Sequence, residues 1–398
     1  MKKLLLTGFF VAILSVYVMA NPARIISMGK TDVFFMDEVS IFRFPGNLRY
    51  YSNMLIGELG TYMDSTKSTS FYLQNSDPVN PWYGGIIGFG GKGENKEGMF
   101  SLGVIVNKWD TFDTLHDYSL DSINLKPLMP LDIFLGYTLK KYTLGLRLHW
   151  SGNRYEKEDF AGNLTSKIEA NYLLAILGIS GSVNDKIDYE IGVGGTMTRI
   201  DLDTKTGRDE ISVYKGEIVD ARIFTDLNDA SDLVLAGGYQ NIEYNVYEYS
   251  KKMYGGIGSN ILIDRGFLWL GVQGIKEELK QLDDSTSLYA YTKNIYASLS
   301  FGIERNVWWD WFVMRVGGNK TIGKHSERIG SYTVSEFFTN PNSNKFPEDA
   351  VGFGVGLNVE DKLKFDGVIA EDVPYTFGKI FSGSLHHIQS RISSTLFF

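Results

Sequence analysis

The stretch "LDIFLGYTLKKYTLGLRLHW", residues 131–150, decides how this chain folds. Leu131, Ile133, Leu135, Tyr137 and Leu139 alternate with Asp132, Phe134, Gly136, Thr138 and Lys140. Beyond a link of almost no length, Tyr142, Leu144, Leu146, Leu148 and Trp150 oppose Thr143, Gly145, Arg147 and His149. Successive side chains of a strand point to opposite faces, so period two over two such runs predicts a long β-hairpin with one apolar face.

The same alternation recurs down the chain. Ile187, Tyr189, Ile191 and Val193 oppose Asp188 and Glu190, while Ile295, Ala297, Leu299, Phe301 and Ile303 oppose a row ending in Glu304. Phe312, Met314 and Val316 face away from Arg315, and Val351 to Val359 alternate with glycines and Asn358. Strands of soluble sandwiches average about five or six residues. Runs of about ten, tilted by about 45°, cross the hydrocarbon of a bilayer with lipid on the apolar face and the lumen on the polar one. The expected fold class is all-β, a transmembrane antiparallel β-barrel. Tight links at 140–141, 183–186, 264–266, 306–311 and 360–362 alternate with longer ones, among them 63–82, 109–130, 152–167, 199–212, 277–294, 321–349 and 371–384. That alternation of short periplasmic turns and long external loops gives about 14 to 16 strands.

The two ends of the chain carry separate signals. "MKKLLLTGFFVAILSVYVMA" places Lys2 and Lys3 before an apolar run and small residues, the layout of a signal peptide over 1–20. At the other end, Ile392, Leu396 and Phe398 share a face, which reads as the lipid-facing edge of a closing strand and an assembly signal for the barrel-insertion machinery.

Composition removes several classes of function. There is no cysteine, so disulfides and thiolate chemistry are absent. Acidic residues outnumber basic ones, 47 to 39, for a net charge of -8, which argues against nucleic acid as a partner. "GFGGKG" at 88–93 fits a dinucleotide fingerprint by letter, but another strand pattern follows it instead of a helix. The histidines, His116 and His149 foremost, stand without a local nucleophile signature, so neither catalysis, a cofactor nor a metal is expected. Acidic loop pairs such as Asp283 and Asp284 match no metal-loop spacing. The predicted inner face instead gathers Asp132, Arg147, His149, Glu190, Glu304, Arg315 and Arg391 as lumen-lining residues. Buried charges cost several kcal/mol each unless paired, so this lumen is expected to be either wet or tightly ion-paired.

Residues 25–48, "IISMGKTDVFFMDEVSIFRFPGNL", complete the organisation. Met28 and Gly29, the acidic step Asp37, Glu38, Val39 and Ser40, and "FPGNL" (Phe44 to Leu48) resemble the N-terminal segment of the family of long-chain fatty-acid transporters and the barrel subunit of the type IX secretion system. Two departures stand out: Phe44 replaces the usual Asn, and "VFFM" (33–36) replaces a run of small residues. The resemblance implies an inward-folded, plug-like segment over 21–52, followed by a barrel over 53–398. It also implies a protein of the outer membrane of a Gram-negative-type bacterium, with outer-membrane lipids around it. The expected function is passive passage of small or hydrophobic solutes. The alternative is a non-transporting barrel that serves protein secretion or surface attachment and holds a secreted partner; a third reading is a barrel-embedded hydrolase.

Overall fold

The computed structural model describes residues 22–29, 31–61, 81–92, 96–110, 119–120, 123–124, 128–158, 164–204, 210–243, 249–283, 288–330, 332–338, 350–360, 362–370 and 391–398. The signal peptide expected over 1–20, His116 and most of the loops expected at 63–82, 109–130 and 371–384 lie outside the described residues.

Sixteen antiparallel strands close into a ring. The first four are β1 (Met54–Thr61), β2 (Trp82–Phe89), β3 (Phe100–Val106) and β4 (Leu131–Leu139). Then come β5 (Tyr142–Glu158), β6 (Leu164–Asn184), β7 (Ile187–Thr204), β8 (Glu210–Asn228), β9 (Ser231–Glu243) and β10 (Tyr249–Ile263). The ring continues through β11 (Gly266–Asp283), β12 (Leu288–Asn306), β13 (Phe312–Ile329), β14 (Ala350–Val359), β15 (Leu363–Ala370) and β16 (Arg391–Phe397). Each strand pairs with its neighbour in sequence, and β1 closes the ring by pairing with both β2 and β16, so that Met54 lies opposite Ile86 and Phe397. Closure gives every strand of the ring a partner on both sides, which is what a sheet in hydrocarbon requires, while the upper part of β5, beyond Trp150, has a partner on one side only. Sixteen is the upper of the two expected counts. One more strand, Tyr332–Phe338, pairs with Gly323 to Ile329 of β13, beyond the residues of β13 that face β14.

The wall is inside-out relative to a soluble protein. Leu144 is 51% exposed and Leu177 66%, whereas Arg147, on the opposite face of the same hairpin, is 1% exposed. The hairpin of β4 and β5 has the expected register, with Asp132 opposite His149 and Phe134 opposite Arg147. At the tight-turn end, Trp308, Trp309 and Trp311 stay exposed, and Trp309 stacks on Trp311 at 5.1 Å, the kind of aromatic belt that marks a membrane interface.

Wall height is uneven, and here the loop expectations need correction. β5 to β8 and β11 to β13 run for 17 to 21 residues, but β1 to β4 and β14 to β16 for only 7 to 10. Most of the loops expected at 152–167, 199–212 and 277–294 are therefore strand. Their outward side chains, such as Arg154, Glu156, Lys167 and Glu169, are charged and mutually paired, so the apolar alternation that announces a membrane strand stops there. The backbone ladder, which is indifferent to side-chain polarity, continues into water.

Candidate functional site

The interior is occupied by the N-terminal segment. Helix α1 (Pro22–Ser27) is followed by two short 3-10 turns, Glu38–Phe42 and Pro45–Arg49. Asp37 starts the first turn: its side chain accepts from the Val39 backbone N–H, while the Ser40 hydroxyl accepts from the Asp37 N–H. Reciprocal capping of this kind satisfies donors that a turn buried in a barrel cannot give to water.

The segment sits directly on strand backbone where the wall presents glycine. Pro45 and Gly46 lie against Gly145 and Gly178, and a Cβ at Gly145 would overlap the Pro45 carbonyl. Arg43 lies with its carbonyl on Gly192, Met28 lies on Gly317, and Phe34 spreads over Gly256, Gly258 and Gly271. Gly29 itself has φ 100°, with Gly318 O and Phe301 O only 3.0 Å from any added Cβ, so the Met-Gly pair is required for backbone shape and close approach. The departure "VFFM" has a matching cause: Phe34 and Phe35 pack on Trp269, centroids 6.1 and 5.5 Å apart, in space that the facing glycines vacate. Phe44, in place of Asn, is buried beneath Arg222, 4.4 Å from its ring.

Ion pairs then tie segment to wall. Arg147 donates to Asp132 at 2.7 Å, to Asp110 at 2.5 Å and to the Phe42 carbonyl at 3.0 Å. His149 is fully buried, with Nδ1 3.1 Å from Asp132 and its ring edge-on to Tyr172. Glu190 takes Arg222 at 2.5 Å and the Asn47 amide at 2.9 Å, and Arg222 also donates to the Asp32 and Phe35 carbonyls. Glu304 lies between Arg24 at 2.7 Å and Arg315 at 2.5 Å, and Arg315 reaches on to Asp366. Arg43 bridges Asp32 at 3.0 Å and Asp220 at 2.8 Å, and Lys364 holds Glu38 at 2.9 Å. Burial and the neighbouring Glu38 carboxylate push Asp37 up to about 7. Against the opposite push of burial, Lys364 and Arg24 hold Glu38 down at about 2. Burial and the Arg147 charge lower Lys108, which rests on the Phe42 ring at 4.1 Å.

Of the residues singled out from sequence, Asp132, Arg147, His149 and Glu190 are thus brought onto the interior face beside the segment, and Glu304 and Arg315 form a second group with α1. The Arg391 side chain lies outside the described residues. Ile392 and Phe398 are exposed, and Leu396 is half-buried on the outer face. The partners Asp110, Asp220, Arg222, Arg24 and Asp366 were missed, although Asp220 and Arg222 carry the same alternation in "IVDARIF" (218–224). Among the described residues, no group of three or more His, Asp or Glu has the geometry of a metal site.

Beyond the seal, on the side away from the tight turns, the interior face of β6 to β8 changes character. Ile168, Ala170, Tyr172, Leu174, Ile176, Ile200, Tyr214 and Ile218 form one buried apolar cluster. Ile176 lies opposite Arg147 and Leu174 opposite His149, which fixes this cluster on the inner surface.

The molecule is a closed β-barrel with an apolar outer face. No protein-family profile matches the chain, and no curated protein matches it. Among solved structures it is similar to a deltaS2S3 mutant of the monoaromatic hydrocarbon channel TodX, at 9% identity and a TM-score of 0.43 over 95% of this chain and 99% of that one. It is also similar to the Pseudomonas putida toluene transporter TodX, at 10% identity and a TM-score of 0.39 over 95% and 97% of the two chains. CdiB from Escherichia coli gives 9% identity and a TM-score of 0.39 over 86% of this chain and 63% of that one. These are likenesses of fold. The barrel with an inward-folded N-terminal segment, which the motif at residues 25–48 implied, is present in this chain's own geometry.

Proposed function

We propose that the protein is a passage for hydrophobic solutes through the outer membrane of a Gram-negative-type bacterium, closed at rest by residues 22–53. The observation that carries this reading is the apolar inner wall that starts at Ile176, Ile218 and Leu174, in the rows of the seal's Arg147 and His149, and continues beyond them to Ile200 and Ile168, where an aqueous porin presents polar side chains. Asp132, Arg147, His149, Glu190, Glu304 and Arg315 are then the anchors of the seal and not a selectivity filter for ions. Passage requires no chemical step, and no catalytic role is assigned to His149. The outward row of Ile392, Leu396 and Phe398 is assigned to recognition by the assembly machinery, and removal of Phe398 is expected to lower insertion into the membrane.

Reconstituted liposomes test the reading. Toluene or a long-chain fatty acid is expected to equilibrate faster across vesicles carrying the barrel than across empty ones, and the double substitution Leu174→Asp/Ile218→Asp to remove the difference. Equal rates with and without the protein overturn the proposal. The closed interior favours a second reading, a non-transporting barrel that serves secretion or surface attachment. That reading expects a secreted protein to co-purify from crosslinked membranes through the strands that stand above the bilayer, and a barrel recovered alone counts against it.

A further inference from the structure

The outer surface of β10 to β13 carries charge in a pattern that transport does not use. Strand register aligns Met253, Lys276, Ile295 and Lys324 in one outward row, and Lys251, Glu278, Lys293 and Ser326 in the next. A third row holds Tyr249, Lys280, Tyr291 and Arg328. Within β10 to β13 six cations therefore stand around one carboxylate, Glu278, which pairs with Lys276 at 2.8 Å, and Glu243 of β9 borders the patch beside Tyr249. From strand spacing and rise, the patch measures roughly 14 Å on each side.

Composition does not account for it, because the chain is acidic overall, with net charge -8. Nor does strand extension above the membrane, since the equally tall wall of β5 to β8 is balanced. There Arg154, Lys167 and Arg199 each pair with an acid two residues on, and Lys215 is followed by Glu217. Position relative to the bilayer is what distinguishes the patch. Ile257, Val272 and Leu299, aligned two rows below it, are 50%, 48% and 56% exposed on the lipid-facing band. Between the two lie Gly255, Gly274 and Ala297, with little or no side chain, and Ile322, which is 55% exposed. Lys320, aligned with Leu299, extends the positive charge down into the band. Tyrosine rings accompany the cations, with Lys251 over Tyr239 at 5.6 Å and Lys280 over Tyr289 at 4.9 Å.

An apolar band topped by cations and tyrosines at the external headgroup level is complementary to an amphipath with acyl chains below and phosphate above. One phosphate would occupy two or three of these cations. Six, spread over roughly 14 Å, match a head that carries more than one phosphate, and the tyrosine rings offer faces and hydroxyls to sugar rings. The geometry points to a binding site for a phosphorylated glycolipid of the outer leaflet, of the lipid A kind, on the outer face of β10 to β13. The site rests on the barrel's orientation in the membrane and is independent of what passes through the interior.

The test uses the full chain, delipidated in neutral detergent, with bound lipid read by native mass spectrometry. Probes are diphosphorylated lipid A, its dephosphorylated form, phosphatidylglycerol and inorganic phosphate. The diphosphorylated glycolipid is expected to bind, and Lys293→Gln/Lys324→Gln/Arg328→Gln to weaken it roughly a hundredfold, since each surface cation near a lipid phosphate contributes about fivefold. The matched variant Lys167→Gln/Arg199→Gln/Lys215→Gln on the balanced wall is expected to bind like the wild type. Unchanged binding by the first variant overturns the site, as does equal binding of the dephosphorylated form. Equally tight phosphatidylglycerol, or displacement by inorganic phosphate at the same concentration, overturns the glycolipid assignment. Heat-modifiable gel migration shows that each variant is folded, and the single substitutions Lys324→Gln and Arg328→Gln decide the matter if the triple variant fails to insert.

Discussion

Arg147 is 1% exposed and lies between two carboxylates, so its removal is more consequential than that of a surface arginine. Arg147→Met leaves Asp110 and Asp132 buried with their common cation gone, and is expected to cost about 3–5 kcal/mol. Thermal unfolding in detergent measures it, and adding Asp110→Asn and Asp132→Asn is expected to restore most of the loss. No recovery would mean that the arginine acts through packing on Phe42, 4.9 Å away, and not through charge. The inward direction of Arg147, Asp132 and His149 was legible from period two in twenty residues of sequence. Their pairing was not, because Asp110 comes from beyond the end of β3 and the Phe42 carbonyl from a segment 105 residues away. Alternation tells which way a side chain points but carries no information about what fills the space in front of it.

At the scale of the element, the N-terminal segment behaves as a part of the wall that happens to lie inside it. Its fit depends on bare backbone, so Gly145→Val, whose side chain would occupy the place of the Pro45 carbonyl, is expected to displace residues 44–48. Overpacking of this kind costs about 1–3 kcal/mol. Limited proteolysis is expected to cut the variant's segment while the barrel stays intact, and a segment protected as in wild type would show that the wall yields instead. Asp37 makes the seal sensitive to pH. Its folded value of about 7 lies above the ordinary 3.8, so the neutral form is preferred in the folded state. From this group the seal suffers no penalty below about pH 4, a growing one between 4 and 7, and the full one above. Glu38, held at about 2, contributes oppositely: its stabilisation is complete above its ordinary 4.5 and is lost as pH falls from there towards 2, so it does not change between pH 5.5 and 8. Amide exchange in residues 31–53 is therefore expected to be faster at pH 8 than at pH 5.5, beyond the intrinsic chemical rate, and Asp37→Asn to remove the difference while keeping the cap. The Met28–Gly29 and Asp37–Ser40 positions were legible as a plug. The glycines opposite them read only as weak strands, since glycine in a strand gains meaning when its neighbour across the lumen is known.

At the scale of the whole molecule, the proposed closure of the interior by the N-terminal segment sets the electrical behaviour. Wild-type barrel in a planar bilayer is expected to be silent, and deletion of residues 22–48 to produce stepwise conductance; a silent deletion variant would place a second obstruction above the seal. The strand count was legible because each membrane crossing repeats the same ten-residue alternation, whereas the tall wall was not, its upper half being charged on the outside and held only by backbone pairing. Unequal height has a mechanical consequence. The ring is completed by two of its short strands, β1 and β16, of 8 and 7 residues, while β6 has 21. Across that clasp the Phe398 N–H donates to the Asn53 carbonyl at 3.0 Å, and Phe397 packs on the cluster that contains Ile41, Phe42 and Leu48. A load drawing the clasp apart must therefore also disturb that shared cluster, in which Met54 and Ile56 of β1 join Ile41, Phe42 and Leu48 of the inner segment, so the segment that fills the interior doubles as the rivet that keeps the hoop from springing open.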